Sequence, residues 1–262
     1  MMTPTQYMRQ YMNMGVILDN WEIAEVKNDR YRNNGIASTR SPDADKMKDL
    51  INWCVAHESK NRIIEGVSIS PLRVYDAFIG KSSPEDTHTV IWLAHRYGFI
   101  ANPNKPKPPG GYKALPSAQA FCDKYTGLDC NGFVANYYGM ARSEPHYIGS
   151  FAPKNLRLKR PEDVAARCSL CFFKGGADSH IAVVETASIV GETLKMKIVQ
   201  SSGMTYGLNT KDWDVAIPAN LKKPPVKQWT LGSDPSGHIY FLDSIGRATY
   251  PCLPRTDKAP NP

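Results

Sequence analysis

Hydrophobic and polar positions change from helical to strand-like spacing between the first and second halves of the chain. In the first hundred residues, apolar positions follow three sites where serine precedes proline: Ser41-Pro42, Ser70-Pro71 and Ser83-Pro84. Serine is a favoured N-cap, and proline suits the first helical position. Ser83 and Asp86 also form a capping box. Glycine commonly follows a helix end, so the second helix is predicted to end near Gly80 and the third near Gly98.

A run rich in proline and glycine separates the two patterns. Residues 101–111 read ANPNKPKPPGG, a composition that suits neither a regular helix nor a central strand. The segment is therefore a linker or a long surface loop, and the change in composition predicts a domain boundary. We expect a helical N-terminal region over residues 1–107 and a second domain over residues 108–262.

The pattern after this loop predicts two short helices and then strands. The first helix, over PSAQAFCDKYTG, is expected to stop at Gly127. The second begins after Asp129, a good N-cap, and its apolar positions recur at helical spacing: Phe133, Val134, Tyr137 and Tyr138. Four later segments have the composition of strands: CSLCFFK, HIAVVE, LKMKIVQ and HIYFLD. A helix block followed by an antiparallel sheet predicts an α+β fold.

Length and composition narrow the class of protein. The chain has 262 residues and is 42% hydrophobic, enough to bury a sizeable core. No run of about 18 apolar residues is present, so no membrane span is expected. The N-terminal residues include no continuous apolar segment, so we expect synthesis in the cytoplasm without an ordinary signal peptide.

The six cysteines are too dispersed for a disulfide scaffold at this length, and most are expected to be reduced. Cys168 and Cys171 form a CxxC pair, but no second pair and no histidines at zinc spacing follow them. The sequence CSLCFF is more typical of a buried strand than of a metal or redox site.

The net charge of +7 and the pI near 9.0 favour an anionic partner, such as a nucleic acid, a membrane surface or an acidic cell-wall polymer. The basic residues form three small clusters: Lys105/Lys107, Arg157/Lys159/Arg160 and Lys222/Lys223. None of them is a long basic stripe with interleaved aromatic residues. A solvated basic surface is therefore preferred to nucleic-acid binding.

Cys130 is the first candidate for chemistry. It follows the predicted N-cap Asp129, in the first turn of a helix, where backbone N–H groups and the helix dipole stabilise a thiolate and lower the pKa of the thiol. Cysteine is also a common small buried hydrophobe. The interpretation as a nucleophile therefore depends on finding a base and an orienting group.

His180 and Gln200 are the candidate partners of Cys130. Strand alternation places His180, Ala182 and Val184 on one face, and the small Ala182 would let a helix bearing the cysteine pack closely there. In the next strand, Gln200 continues the inward register, and its amide oxygen could accept the second imidazole N–H of His180. His238 also begins a strand, but it ranks second because it lacks a polar partner at the end of a neighbouring inward face.

These motifs resemble three blocks of the NlpC-type cysteine peptidases. LDCNGFV is similar to their Asp-Cys-Ser-Gly-Phe-Val motif, RPEDVAARCSLCFFKGGADSHIAVVE resembles the block that carries the histidine, and KIVQSSG resembles the third. The resemblance covers about residues 115–205. It implies a papain-like core in which a helix bearing the cysteine packs on an antiparallel sheet. It also implies Cys130 as the nucleophile, His180 as the base and Gln200 as the orienting group, with no metal or organic cofactor.

The sequence departs from the family pattern near the cysteine and in the third block. Asn131 replaces the usual serine, and Gln200 stands where histidine is common. The family also has an upstream tyrosine that helps to form the oxyanion site, but Tyr125 lies closer to the cysteine than that pattern expects, and Tyr112 lies farther away. Both tyrosines, together with Asp129 and Asn131, are therefore candidates for the substrate or oxyanion site.

The resemblance implies hydrolysis of amide bonds in the stem peptides of bacterial peptidoglycan. Without a signal peptide, such an enzyme would be an antibacterial effector injected into a target periplasm by a machine such as type VI secretion, or a phage lysin. An effector also implies a cognate immunity protein. Two alternatives stay open: a cysteine protease, deamidase or acyltransferase acting on a host protein or lipid, and a non-catalytic binding module in which Cys130 is structural.

Overall fold

A computed structural model describes residues 2–32, 42–105, 107–140, 151–175, 177–205, 207–217 and 229–254. These residues contain six α-helices: α1 (Pro4–Met12), α2 (Pro42–Glu58), α3 (Pro71–Ile79), α4 (Pro84–Arg96), α5 (Ala118–Tyr125) and α6 (Cys130–Tyr137). They also contain eleven strands: β1 (Met14–Ile17), β2 (Ile23–Val26), β3 (Ile63–Ile64), β4 (Val67–Ser68), β5 (Ser169–Lys174), β6 (Ala177–Val190), β7 (Thr193–Ser202), β8 (Gly207–Ala216), β9 (Trp229–Ser233), β10 (Ile239–Leu242) and β11 (Arg247–Cys252). The basic cluster Lys222/Lys223 lies outside the described residues.

The chain divides into two compact units that are not continuous in sequence. The barrel unit comprises Met1–Met8, Phe133–Ser202 and Leu208–Pro262, and the helical unit comprises Arg9–Gly132 and Gly203–Gly207. The sequence predicts a boundary between two separately folding domains at residues 107/108. These units do not test whether the two segments fold separately, so that boundary stays a prediction.

Helix starts in the helical unit follow the serine–proline pattern. α2, α3 and α4 begin at their prolines, as predicted. The Ser83 hydroxyl accepts a hydrogen bond from the Asp86 backbone N–H at 3.2 Å, which confirms that cap. α3 ends at Gly80, whose φ of 82° lies in the left-handed region that favours glycine. The Ser83 cap therefore marks the start of α4, proline marks the starts of α2 and α3, and Gly80 marks the end of α3.

Two hairpins interrupt the region that the sequence predicts as helical. β1 pairs with β2, with Met14 opposite Val26, and β3 pairs with β4, with Ile64 opposite Val67. In β1, Met14 and Val16 are buried while Ile17 is exposed. The alternation covers only four residues, too few to distinguish a strand from its helical surroundings. The helical description of the first hundred residues is therefore incomplete.

The core of the helical unit joins residues from both sides of the proline-rich loop. The Phe78 ring lies 6.4 Å from Phe121 and 6.4 Å from Tyr125, centroid to centroid. The Leu115 backbone N–H also donates to the Phe99 carbonyl at 2.8 Å. Segments before and after residues 101–111 thus share one hydrophobic cluster.

A fragment that begins at Gly110 is expected to aggregate, because it loses α1–α4 and exposes the apolar side of α5. Phe121 and Tyr125 are almost completely buried in the whole chain, and burying each such side chain contributes roughly 2 kcal/mol. Size-exclusion chromatography of this fragment beside the whole chain tests the expectation. A monodisperse fragment with a cooperative thermal transition would instead support the boundary at residues 107/108.

The barrel unit contains a closed seven-stranded sheet in the order β10-β11-β5-β6-β7-β8-β9. The pair β8–β9 is parallel, with Val215 opposite Trp229, and β9 pairs with β10 to close the sheet. The predicted α+β fold with a papain-like core is therefore wrong. The sequence identified only four of these seven strands, and β8, β9 and β11 supply the pairings that close the sheet.

The interior of the barrel is formed by alternate residues of its strands. Buried apolar side chains from β5, β6, β7, β8 and β10 join in one cluster: Leu170, Phe172, Ala182, Val184, Leu194, Met196, Ile198, Trp213, Val215, Ile239 and Phe241. Leu194, Met196 and Ile198 alternate along β7 and lie in this cluster, which confirms the inward register predicted for the strand that carries Gln200. Ala182 and Val184 face this interior, so the expectation that a helix packs on their face is wrong.

Two bulges divide β6. The first lies between Phe172 and Phe173 of the partner strand β5 and leaves Ser179 as an extra residue, whose hydroxyl donates to the Phe172 carbonyl at 3.1 Å. The second leaves Glu185 unpaired against β7. The Glu185 carboxylate accepts a hydrogen bond from the Thr5 backbone N–H in the first turn of α1 at 2.7 Å. The segment between the bulges, residues 180–184, keeps a regular inward and outward alternation.

Candidate functional site

Cys130 is the first residue of α6, as the sequence predicts. The Asp129 side chain caps the helix, since its Oδ1 accepts a hydrogen bond from the Gly132 backbone N–H at 2.6 Å. Cys130 is buried, and its Sγ lies 4.0 Å from Asn131 Oδ1. The predicted location of the thiol at a capped helix start is therefore confirmed.

Asp129 is fixed by contacts with the turn between α3 and α4. Its backbone N–H donates to the Gly80 carbonyl at 3.0 Å, and its Oδ2 accepts from Lys81 Nζ at 2.5 Å. Both side chains of this ion pair are largely buried. Removing one partner of a buried ion pair destabilises a protein by roughly 3–5 kcal/mol. The Asp129–Lys81 pair therefore strongly favours one position for the start of α6. Lys81 could not be identified from the sequence, because its partner Asp129 lies 48 residues later in the chain.

Gly132 lies against the backbone of the same turn. A Cβ atom on Gly132 would lie 2.0 Å from the Gly80 carbonyl oxygen and 2.9 Å from Lys81 Cα. Backbone atoms at these distances leave no room for a side chain. The glycine of the LDCNGFV motif is therefore required by a close backbone approach.

Cys130 is expected to react with iodoacetamide at pH 7 at least about ten times faster than Cys54 or Cys122, because a helix N-terminus stabilises its thiolate. Burial raises the pKa of Cys54 to about 11 and that of Cys122 to about 12, so both are protonated at neutral pH. Peptide mapping by mass spectrometry after timed labelling measures the three rates.

The Cys130→Ser variant is the control for this labelling, since it removes the reactive sulfur with little change in size. Loss of the fast-labelled peptide in that variant assigns the signal to Cys130. Equal labelling rates for the three thiols in the unaltered chain would count against a nucleophilic role of Cys130.

His180 lies within β6 and faces the barrel interior. It is paired directly with Phe172 of β5, and residues opposite each other in antiparallel strands share a face. Their ring centroids are 5.0 Å apart. The Phe172 ring in turn meets Trp213 edge-on at 5.2 Å. The imidazole is therefore held by an aromatic cluster rather than lying free at the start of a strand, and β6 begins three residues earlier than predicted.

Gln200 and Asn209 complete a chain of hydrogen bonds from His180. His180 Nε2 lies 2.8 Å from Gln200 Oε1, and Gln200 Nε2 donates to Asn209 Oδ1 at 3.1 Å. The contact predicted between His180 and Gln200 is therefore present. Asn209 is absent from the sequence-based prediction because it lies in a polar stretch of β8, GLNTKDWD, that has no clear strand pattern.

This chain of hydrogen bonds selects one tautomer of His180. Because the Gln200 amide nitrogen donates to Asn209, the amide oxygen faces the imidazole, and His180 Nε2 must carry the proton. His180 Nδ1 then has the lone pair that can accept a proton. Since Gln200 is itself buried, its amide is held in this orientation.

Burial lowers the pKa of His180 to about 4. The hydrogen bond to Gln200 acts in the opposite direction, and the nearby positive charge of Arg247 lowers the pKa further. Part of the side chain reaches solvent, but protein atoms surround most of the ring. The imidazole is therefore neutral at pH 7, the state required of a general base.

Two tyrosines predicted as oxyanion candidates lie together in the helical unit. The Tyr112 and Tyr125 hydroxyl groups are neighbours, and each affects the pKa of the other. Burial raises the pKa of Tyr112 to about 12, and its hydroxyl donates to the Asp43 carbonyl at 3.2 Å. Tyr125 is packed against Phe121 with centroids 5.1 Å apart. The oxyanion role proposed for these tyrosines, as for Asp129 and Asn131, stays a prediction.

His238, the competing histidine, does have a polar partner. Its Nδ1 lies 3.2 Å from Asp234 Oδ2, and Asp234 Oδ1 accepts backbone hydrogen bonds from Ser236 and His238. This partner lies in the adjoining turn and not at the end of a neighbouring inward face. The pair lies within the single turn between β9 and β10, where Asp234 organises the backbone, and this local structural role accounts for the contact.

The remaining cysteines are free and buried. Cys168 precedes β5 and Cys171 lies within it, so the strand predicted over CSLCFFK is confirmed. Within the described part of the chain, no group of three histidine, cysteine or acidic side chains could hold a metal ion. None of the helices described there is long and apolar enough to cross a membrane.

The barrel unit thus carries a neutral histidine in a fixed tautomer, and the helical unit carries a thiol at a capped helix start. His180 and Gln200 are brought together, whereas the pairing of Cys130 with His180 stays a prediction. Searches with protein-family models, among curated proteins and among solved structures find no match to this chain.

Proposed function

We propose that this protein is a cysteine-dependent hydrolase of amide bonds, with Cys130 as the nucleophile, His180 as the general base and Gln200 as the group that orients the base. The observation that carries the proposal is the hydrogen-bond chain from His180 through Gln200 to Asn209. It leaves Nδ1 of a neutral imidazole as the basic atom, as a nucleophile–base pair requires.

In the proposed reaction, His180 Nδ1 takes the thiol proton of Cys130 as the sulfur attacks the substrate carbonyl carbon. The imidazolium then delivers this proton to the leaving amine as the C–N bond breaks, leaving a thioester. His180 next removes a proton from the water that attacks the thioester, and the C–S bond breaks to release the carboxylic acid. The imidazolium returns this proton to the departing thiolate, which restores the thiol and the neutral imidazole. The Cys130 backbone N–H at the helix start is the proposed oxyanion donor, a contribution of about 3 kcal/mol where such donors are removed in other enzymes.

The proposed substrates are the stem peptides of bacterial peptidoglycan. Support comes from the LDCNGFV, SHIAVVE and KIVQSSG motifs, which resemble the three blocks of the NlpC-type peptidases, and from the net charge of +7, which favours an acidic polymer. The proposal includes use as an injected antibacterial effector with an immunity protein, or as a phage lysin.

Digestion of purified sacculi tests this function. Mass spectrometry of the released muropeptides is expected to show new amine and carboxyl termini at one stem-peptide bond with the unaltered protein, and none with Cys130→Ser. A host-cell lysate digested in parallel tests a host protein as the substrate. Cleavage of a protein in the lysate without cleavage of the sacculi would identify a host protein as the substrate. The proposed cysteine mechanism would be unaffected by that result.

A non-catalytic binding module is the second candidate. The face of β6 that carries His180 also carries the interior core residues Ala182 and Val184, and Cys130 is only 6% exposed. Both observations suit a structural role for the two side chains. This candidate predicts slow labelling of Cys130 and no release of muropeptides, so the two experiments above distinguish it from the hydrolase.

The stability of the chain is expected to fall as the pH is lowered from 6.5 towards 4. The pKa of His180 is about 4 in the folded protein, below the ordinary value of about 6.5, so the unfolded chain binds more protons within this window. The contribution is fully present above pH 6.5 and amounts to about 2 kcal/mol between pH 7 and pH 4.5. Urea unfolding at the two pH values measures it.

The His180→Gln variant is the control, because its side chain does not titrate. The loss of stability between pH 7 and pH 4.5 is expected to be smaller in this variant than in the unaltered chain. An NMR titration in which His180 charges near pH 6.5 would contradict the lowered pKa directly.

A further inference from the structure

The loop over residues 101–111 forms part of a cavity of about 810 Å³ in the helical unit. Three lysines line it, Lys105, Lys107 and Lys113, together with Asn102 and Tyr112. Cavities of about 300–1,000 Å³ are typical of small-molecule sites. The proposed hydrolase mechanism uses none of these three lysines, so any binding by them is a separate property of the protein.

The charged side chains that line this cavity are all lysines. No carboxylate is among its described lining residues, and Lys107 and Lys113 have no ion pair within the described parts of the chain. Lys105 Nζ is paired with Asp19 at 2.7 Å, and Arg96 shares Asp19 and also pairs with Glu58 and Glu65. The charge of Lys105 is therefore balanced, and Lys107 and Lys113 supply the positive charge of the cavity.

A fourth lysine, Lys46, contacts the ring of the cavity residue Tyr112. Lys46 Nζ lies 5.1 Å from the centre of the Tyr112 ring, a cation–π distance, and Tyr112 itself lines the cavity. The nearest described acidic neighbour of the tyrosine, Asp43, has a side chain that is 64% exposed and lies 3.9 Å from Lys124. The Asp43 carboxylate is therefore paired with Lys124 and not with a lysine that lines the cavity.

We propose that this cavity binds phosphate groups. Lysine ammonium groups act as point charges that suit phosphate, whereas planar carboxylates are matched best by the fork of an arginine, and no arginine is among the described lining residues. The glycines in the lining have no side chain, so a ligand can approach the loop backbone closely at those positions. The ligand class is a small anion or chain with two or more phosphates.

Calorimetric titration with sodium tripolyphosphate tests this site on the whole chain. Saturable binding is expected at 50 mM salt and should weaken at least about tenfold at 200 mM salt, because several charges are screened. Lys107→Glu combined with Lys113→Glu is expected to lower the affinity at least tenfold. The milder pair Lys107→Gln and Lys113→Gln should lower it less.

A matched control makes the same charge change outside the cavity. Lys195 and Lys197 are exposed lysines two residues apart on β7, and their replacement by glutamate should leave the affinity within twofold of the unaltered chain. Pyrophosphate and long-chain polyphosphate, titrated in parallel, distinguish a small phosphate ligand from a polymer. Absence of saturable binding by all three probes, or an equal loss in the Lys195/Lys197 control, would overturn the proposal.

Discussion

Replacing Cys130 or His180 by alanine is expected to lower the release of muropeptides from sacculi at least about a thousandfold, because each change removes a group that bonds to, or exchanges a proton with, the reacting atoms. The two effects should not add in the double variant, since nucleophile and base act as one unit. Initial rates of new amine termini, measured on variants with unchanged circular dichroism, give the comparison.

Substitutions along the hydrogen-bond chain should give graded losses. Gln200→Ala removes the group that orients His180 and is expected to lower turnover by about ten- to a hundredfold while leaving some activity. Asn209→Ala removes only the acceptor that holds the Gln200 amide, so a smaller loss is expected. Asn209→Asp keeps that acceptor and should recover part of the rate.

His238→Ala is the control for these substitutions, because His238 is a buried histidine that contacts Asp234 in the turn between β9 and β10 and has no place in the proposed reaction. Its activity should stay within about threefold of the unaltered protein. Full activity in Gln200→Ala would remove Gln200 from the site, and full activity in Cys130→Ala would rule out the cysteine mechanism.

Gly132→Ala is expected to destabilise the protein by about 3 kcal/mol or more, since the new methyl group meets the Gly80 carbonyl oxygen at 2.0 Å. Relief requires moving the start of α6 or the turn after α3, and either movement disturbs the Asp129–Lys81 pair. The melting temperature should fall by roughly 10 °C, as measured by differential scanning calorimetry.

Gly15→Ala provides the comparison for this substitution. A Cβ on Gly15 would meet Ile23 Cγ2 at 3.6 Å, an ordinary contact, so its stability should change by less than about 1 kcal/mol. A melting temperature for Gly132→Ala within 2 °C of the unaltered protein would show that the start of α6 does not approach Gly80 closely in solution.

Features set by neighbouring residues were predictable from the sequence. The helix start at Pro71 follows from proline at the first helical position, and the caps at Ser83 and Asp129 depend on hydrogen bonds that span three residues. The contact between His180 and Gln200 was also predictable, because both lie at inward positions of adjacent strands.

Features set by distant pairings were not predictable. Barrel closure depends on β8, whose exposed centre is polar and charged, and on β11, which pairs with β5 more than 70 residues earlier. Lys81 and Asn209 are ordinary surface residue types in the sequence, and only the fold gives each its partner. The papain-like expectation failed for this reason, since a motif of a few residues specifies a local element and not the pairing of its strands.

The two bulges in β6 bear on how this protein can change during evolution. A one-residue insertion or deletion in a regular strand turns every later side chain to the opposite face. A bulge accommodates an extra residue locally, so Ser179 and Glu185 separate His180 from both ends of its strand. The hairpin tips on either side can therefore gain or lose residues across related sequences while the imidazole keeps its direction. Length variation is expected at those tips and not within residues 180–184.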